Sequence, residues 1–348
     1  MAQQEVIAHC GQPVIYLTDE DRGIKVGVAP ESGAEMSSLQ YRWNDQWLEL
    51  IHRANLFVPT DETWRGRSPW IFPAAGRNYA PQQLERVKAS GVDERMGTYQ
   101  YGGKTYEIPC HGFVMNRVWE VAPVADDVTR TLSSTLTCVT RSDEATRQYY
   151  PFGYELSAEY SLWERGVSAR LTVCADAAND GDMFFSLGNH TTVIAPFTSA
   201  GDAGSCRVRT PATLNLQISR QSLFSGESIP VDFRNGVRLR DYPGLGNFVL
   251  GSFPEGECYV DFIDPASFGL RVSQQEVVQP GASPRTSPDD CYFVFYSPFD
   301  PQKDQPSTYF CLEPWYGGPN SFNDQRGLVF LEPGEAFVWE MTIGVSDV

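Results

Sequence analysis

The chain is poor in basic residues. Its 27 Lys and Arg stand against 44 Asp and Glu, leaving a formal net charge of −17 over 348 residues. That deficit works against sequence-independent nucleic-acid binding and against anionic membrane surfaces, because both depend on clustered Lys and Arg. No apolar run approaches membrane-spanning length, and Met1-Ala2-Gln3-Gln4-Glu5 lacks a basic segment followed by an apolar core. The expectation is a soluble, cytoplasmic protein that binds small neutral ligands. The eight cysteines have no close pair and no metal-type spacing, so neither a disulfide framework, a metal site nor a catalytic Cys is expected. Cys138, Cys174 and Cys311 fall inside apolar or alternating runs, where a thiol acts as a small hydrophobe. Internal repeats and low-complexity tracts are missing, and no window of twelve residues sustains an amphipathic helical period.

What is present alternates with a period of two. Tyr154 to Leu162, Gly166 to Val173 and Ala336 to Ile343 each read as half-buried strands, punctuated by turn chemistry such as Asn179-Asp180-Gly181-Asp182 and Glu332-Pro333-Gly334-Glu335. The 20 Phe, 16 Tyr and 8 Trp suit two-layer packing and supply flat faces on which sugar rings stack. The fold class is therefore all-β, a large antiparallel β-sandwich. The Pro/Gly/Ser-rich stretch from Gln279 to Asp290 is only a dozen residues long and reads as a loop, so residues 1–348 are expected to form one domain.

Four constellations carry potential chemistry. In Tyr309-Phe310-Cys311-Leu312-Glu313-Pro314-Trp315 an apolar strand delivers one carboxylate before a Pro, where pairing is expected to stop at the rim of a sheet. A second apolar run, Phe184 to Thr192, presents His190 in the same manner, so a base and an acid are on offer. His111 lies between Cys110 and Gly112 at a sharp bend, and Arg77 and Asn78 follow a strand that breaks at Ala74-Ala75-Gly76. Plain structural roles compete with each: a hydrogen-bonded turn histidine, a surface ion pair for Arg77, a packed plug for Trp315. Only four histidines exist, and His9 and His52 lack such surroundings and read as solvated surface groups.

Taken in order, these segments resemble the aldose 1-epimerase (galactose mutarotase-like) family over nearly the full length. The landmarks are Gly33-Ala34-Glu35-Met36, Pro73 to Arg77, His111-Gly112-Phe113, Tyr150-Pro151-Phe152, Leu187-Gly188-Asn189-His190, Cys311 to Trp315 and Leu331 to Glu335. The His-Gly-Phe form and the Pro-Trp after the acid are closer to the broad bacterial branch, with its hexose-phosphate epimerase-like members, than to the galactose-specific one. The resemblance implies a supersandwich fold and interconversion of the α and β anomers of an aldose, with no cofactor. It implies Glu313 as the base, His190 as the acid, His111 as a second histidine near the ring oxygen, and Arg77 as a hydroxyl-binding group, with Asn78 and Trp315 beside them. For the acid role His190 is expected to be protonated near neutral pH, favoured by the abundant carboxylates.

The family's Asp two residues before an Asn-Phe pair is missing: the run is Leu245-Gly246-Asn247-Phe248, with Asp241 as the nearest substitute. Galactose specificity is therefore not expected. Arg65 and Arg67 raise a sugar phosphate as an alternative substrate, the competing expectation being two exposed loop arginines. Two other function classes compete: a catalytically silent sugar-binding protein on the same scaffold, and a polysaccharide hydrolase or lyase, which needs a second opposed carboxylate. The expected partner is a small sugar, and the expected state a monomer or homodimer.

Overall fold

The computed structural model describes residues 2–53, 57, 66–92, 94–123, 135–242, 244–303 and 308–346. Antiparallel sheets of five, nine and eight strands dominate, with two further two-stranded pairs. The three runs read as alternating strands are Tyr154–Trp163, Gly166–Ala175 and Ala336–Ser346, side by side in the nine-stranded sheet. In the first, Tyr154, Leu156, Ala158, Tyr160 and Leu162 turn inward while the residues between them stay partly exposed. Burying one such large side chain contributes on the order of 1.5–3 kcal/mol, so the period that identifies the strand also holds its register.

The eight-stranded sheet lies against this one. Its strands Phe224–Pro230, Leu214–Ile218, Val249–Gly251, Cys291–Tyr296, Thr308–Tyr316, Leu187–Asn189 and Trp70–Ile71 follow in that order, and Thr192–Ala195 also pairs with Thr308–Tyr316. Aromatic contacts join the two layers, Phe262 with Phe310 at 5.4 Å and Trp70 with Trp339 at 6.1 Å between ring centroids. A meander over residues 2–49 forms the five-stranded sheet, and its buried face joins the same apolar cluster, which runs from Ile15 to Val345.

One element carries no sequence signal, and one sequence expectation needs correction. A ten-residue helix, Pro81–Ser90, is present; Pro81 opens it and Gly91, at φ 66°, closes it by donating to Val87 O at 2.9 Å. Only Gln83 and Val87 of this helix are buried, a stripe too narrow to register as an amphipathic period. The strand carrying Glu313 does not stop at Pro314 but continues to Tyr316, with Pro314 paired to Phe293.

Candidate active site

The continuation past Pro314 sets the site. Leu187–Asn189 and Thr192–Ala195 pair with the acid strand in one unshifted register, Gly188 opposite Trp315 and Thr192 opposite Cys311, which puts His190 directly opposite Glu313. The Leu312 N–H donates to Thr191 O at 2.8 Å, so positions 191 and 312 form a hydrogen-bonded pair and 190 and 313 a non-bonded one. Side chains approach most closely at non-bonded pairs and point to the same face. The donor that proline lacks would have faced Asn189, at the point where regular pairing lapses and the His190 N–H turns to Pro69 O at 2.9 Å. Pro314 thus offers no donor toward Asn189 but does not end the acid strand, while the His190 N–H, at a non-bonded position toward that strand, faces Pro69 on the other side.

Alternation selects the faces. Phe310, Leu312 and Tyr316 enter the core between the sheets, so Cys311, Glu313 and Trp315 face the other way. On the neighbouring strand Phe293 is in the core, and Val294 and Tyr296 line the same cavity as Glu313 and Trp315. That cavity, about 510 Å³, brings together Arg77, His111, His190, Glu313 and Trp315. Larger hollows of about 840 and 920 Å³ elsewhere on the molecule have no histidine in their walls.

His190 and Glu313 are 6 % and 2 % exposed, with Nε2 and Oε1 3.4 Å apart. Glu313 Oε2 is buried without a hydrogen-bond partner among the described residues. Burial pushes the Glu313 carboxyl well above its ordinary range, opposed by the nearby Trp315 indole. Burial and then His111 push His190 well below 6.5, which overturns the expectation of a protonated imidazole. The carboxylates counted in the sequence are not around it, and Glu313, the acid that is, favours its own neutral form. A neutral carboxylic acid and a neutral imidazole hold one exchangeable proton between them, the same number as a carboxylate and an imidazolium. The pair can take a proton from one oxygen while giving one to another nearby.

His111 is set by backbone. It lies at φ 66° and Gly112 at φ 71°, and a Cβ on Gly112 would stand 2.0 Å from Phe72 O, so only glycine fits. The His111 N–H donates to Gly76 O at 3.1 Å, and the Gly76 N–H donates to His111 Nδ1 at 3.3 Å. With Nδ1 accepting, the neutral ring carries its proton on Nε2. Burial and then the Arg77 guanidinium hold the His111 pKa down to about 4, so the ring is neutral at physiological pH. Arg77 is aimed by its Nη1, which donates to Glu94 O at 2.8 Å and Tyr79 Oη at 3.3 Å. The Trp315 and His111 rings meet edge to face at 5.3 Å, and His111 meets His190 at 5.5 Å.

Other sequence candidates fall elsewhere. Asn78 is buried and structural: its Oδ1 accepts the Phe322 N–H at 3.0 Å and its carbonyl accepts the Thr98 N–H at 2.9 Å. Asp241 is exposed, paired with Arg238, and absent from the cavity wall, whereas Asn247 lines it. Arg67 is neither an exposed loop residue nor a cavity residue; it is buried, ion-paired with Glu35 and stacked over Phe57 at 4.3 Å. Arg65 lies outside the described residues. His9 and His52 are half-buried, the first edge-on to Phe57 and the second 4.5 Å from the Tyr309 ring, so neither is a solvated surface group.

Sequence reasoning missed the support behind His190. Asn189 Oδ1 accepts from Ser68 Oγ at 2.5 Å and Thr191 Oγ1 at 2.8 Å, and its Nδ2 donates to Ser68 O at 3.1 Å, all in the dry interior. A fully satisfied buried network of this kind fixes the turn that presents the imidazole. Its only sequence signal is three short polar residues inside apolar runs. The cavity's apolar wall, Val249 and Val294 with Ile218 at the mouth, comes from strands far apart in sequence and had no signal.

A profile described as aldose 1-epimerase matches residues 85–344, well over half of the chain. No curated protein sequence matches. Among solved structures, a galactose mutarotase related enzyme from Lactobacillus acidophilus is 19% identical with a TM-score of 0.70, the alignment covering 99% of this chain and 98% of that one. A galactose mutarotase-like protein from Clostridium acetobutylicum is 17% identical with a TM-score of 0.71 over 100% and 99%. Galactose 1-epimerase from Lactobacillus acidophilus NCFM is 15% identical with a TM-score of 0.66 over 100% and 99%. At these identities the structures establish a shared galactose mutarotase-like fold; with the profile match, they place the chain in the aldose 1-epimerase family.

Proposed function

We propose that this protein is an aldose 1-epimerase that interconverts the α and β anomers of a free aldose, with Glu313 and His190 exchanging protons with the substrate. The observation that carries the proposal is their placement opposite one another, 3.4 Å apart, in the cavity shared with Arg77, His111 and Trp315. In a cyclic aldose the anomeric hydroxyl and the ring oxygen share one carbon, so ring opening needs a proton acceptor and a proton donor side by side. Glu313 as carboxylate takes the anomeric hydroxyl proton, His190 as imidazolium gives its proton to the ring oxygen, and the C1–O5 bond breaks as the C1 carbonyl forms. The pair ends as acid and neutral imidazole, the form that burial favours. Rotation about C1–C2 and closure on the other face run the transfers in reverse. Sugar hydroxyls, the Nε2–H of His111 and the Arg77 guanidinium supply the hydrogen bonds that the charged form needs at the start. Trp315 offers its ring to an apolar sugar face.

The substrate is a neutral aldose without strong galactose preference. Arg77 is the only guanidinium or ammonium among the described cavity residues, and the Asp that would grip one hydroxyl is replaced by Leu245, leaving the neutral Asn247 in the wall. The continuous core from Ile15 to Val345 supports a single working domain. The Glu313 and His190 pairing also argues against a silent binding protein, and the lack of a second carboxylate in the described cavity wall argues against a hydrolase. NMR exchange spectroscopy on equilibrated glucose, galactose and xylose tests the proposal: cross-peaks between α and β anomeric protons should intensify with enzyme, and no enzyme-dependent exchange for any aldose would reject it.

A further inference from the structure

Cys311 has no part in anomer exchange, yet it sits two residues before Glu313 on the same face of the same strand. Donor atoms of Cys311, Glu313 and His190 all lie within 4.8 Å of one another, and all three residues are buried. We propose that these three side chains form a binding site for one soft divalent cation, Zn²⁺ above all, whose occupation closes the cavity to sugar. The metal site stands on its own geometry; its inhibitory effect rests on the epimerase reading.

The donor set is one sulfur, one nitrogen and one oxygen. Thiolate with imidazole selects zinc-like ions over Mg²⁺ and Ca²⁺, which prefer all-oxygen shells. Zinc bond lengths of about 2.3 Å to sulfur and 2.0–2.2 Å to nitrogen or oxygen imply tetrahedral edges of roughly 3.3–3.6 Å. The edge between His190 Nε2 and Glu313 Oε1 is already 3.4 Å, and the other two, each within 4.8 Å, are the ones that binding must shorten. Glu313 Oε2, buried and without a partner among the described residues, is an acceptor still to be used. Three protein ligands leave the fourth position open toward the cavity, where a water or a sugar hydroxyl completes the shell. Charge balances as well: Zn²⁺ replaces the protons of the Cys311 thiol and the Glu313 carboxyl, which leave to solvent, so the buried site stays neutral overall. Thr192 Oγ1 lies 3.5 Å from Cys311 Sγ, and its proton, donated to His190 O at 3.2 Å, can turn to the thiolate when the metal binds.

Co²⁺ is the probe, because its bond to a thiolate gives a charge-transfer absorption in the near ultraviolet whether or not the enzyme is active. The exposed Cys10, 3.4 Å from His9 Nε2, is a competing soft site, so the titration uses a Cys10→Ser background. One equivalent of Co²⁺ should produce the band, excess Zn²⁺ should abolish it, and Cys311→Ser and Cys311→Ala should both lack it. In parallel, Zn²⁺ should inhibit anomer exchange reversibly with EDTA, and both Cys311 variants should keep basal exchange while needing at least about tenfold more Zn²⁺ for the same inhibition. No band, or a band that survives in a folded Cys311 variant, overturns the site. A band with no measurable exchange on any aldose keeps the site and rejects the epimerase reading instead.

Discussion

Replacing Glu313 by Gln tests the central pairing with little disturbance to the fold. The two side chains have the same shape, and Glu313 has no buried cation to leave stranded, because His190 is pushed toward its neutral form. The carboxyl itself bears a desolvation cost that the amide bears less, so the variant should melt within a few degrees of the parent, on either side. Catalysis should respond differently. Removing a positioned general base costs about 10²–10⁴ in rate, or roughly 2.7–5.4 kcal/mol of transition-state stabilisation. The His190 partner 3.4 Å away cannot take over, since it must supply the opposite proton. Polarimetry on freshly dissolved α-glucose gives kcat/KM for parent and variant, and near-ultraviolet circular dichroism reports whether tertiary packing is kept. An at least hundredfold loss in a folded variant is the expected result. Full activity would refute Glu313 as the base, and a loss accompanied by unfolding would refute the claim that the carboxyl is dispensable to the fold.

The pH profile should follow the shared proton: with EDTA present, activity falls on the acid side as His190 in the neutral pair gains a second proton, well below pH 6.5, and on the basic side as Glu313 loses its proton, well above pH 4.5. An acid limb centred near an ordinary histidine would contradict the burial argument. His190→Asn should reduce turnover with little change in KM, whereas His111→Asn should affect both, because its Nε2–H is placed to bind substrate; steady-state kinetics separates the two. Glucose 6-phosphate should gain no advantage over glucose, and its relative kcat/KM should not change with salt, because Arg67 is engaged with Glu35 away from the cavity; galactose should not be preferred over glucose by any large factor. Arg67→Met should destabilise by about 3–5 kcal/mol at pH 8, the usual cost of stranding one member of a buried ion pair. Glu35, already pushed up to about 7 by burial despite Arg67, rises further without it and holds a proton that the unfolded chain has released, so the penalty should shrink as pH falls from 8 toward 7 and level off below, where the parent's Glu35 takes up a proton too. Urea unfolding at pH 8 and pH 6 measures that difference.

The all-β class is legible without coordinates, because a period of two is local: Tyr154 to Leu162 alternates whatever lies across from it, and each inward residue must be covered. The sequence also narrowed the side chains that could carry the proposed reaction, since four histidines and one acid inside an apolar run leave few choices. Their partners were decided only in three dimensions. Whether His190 faces Glu313 depends on the register of strands more than a hundred residues apart, and whether Pro314 ends a strand or only interrupts one side of it depends on Phe293 across the other side. The expected protonation of His190 fails because a charge count ignores distance: desolvation acts on the group itself, and its largest electrostatic neighbour is His111, not a carboxylate. The same reason reassigned Arg67, Asn78 and Asp241. A side chain's type sets which bonds it can make, but which bond it makes is set by the neighbour that folding brings to it.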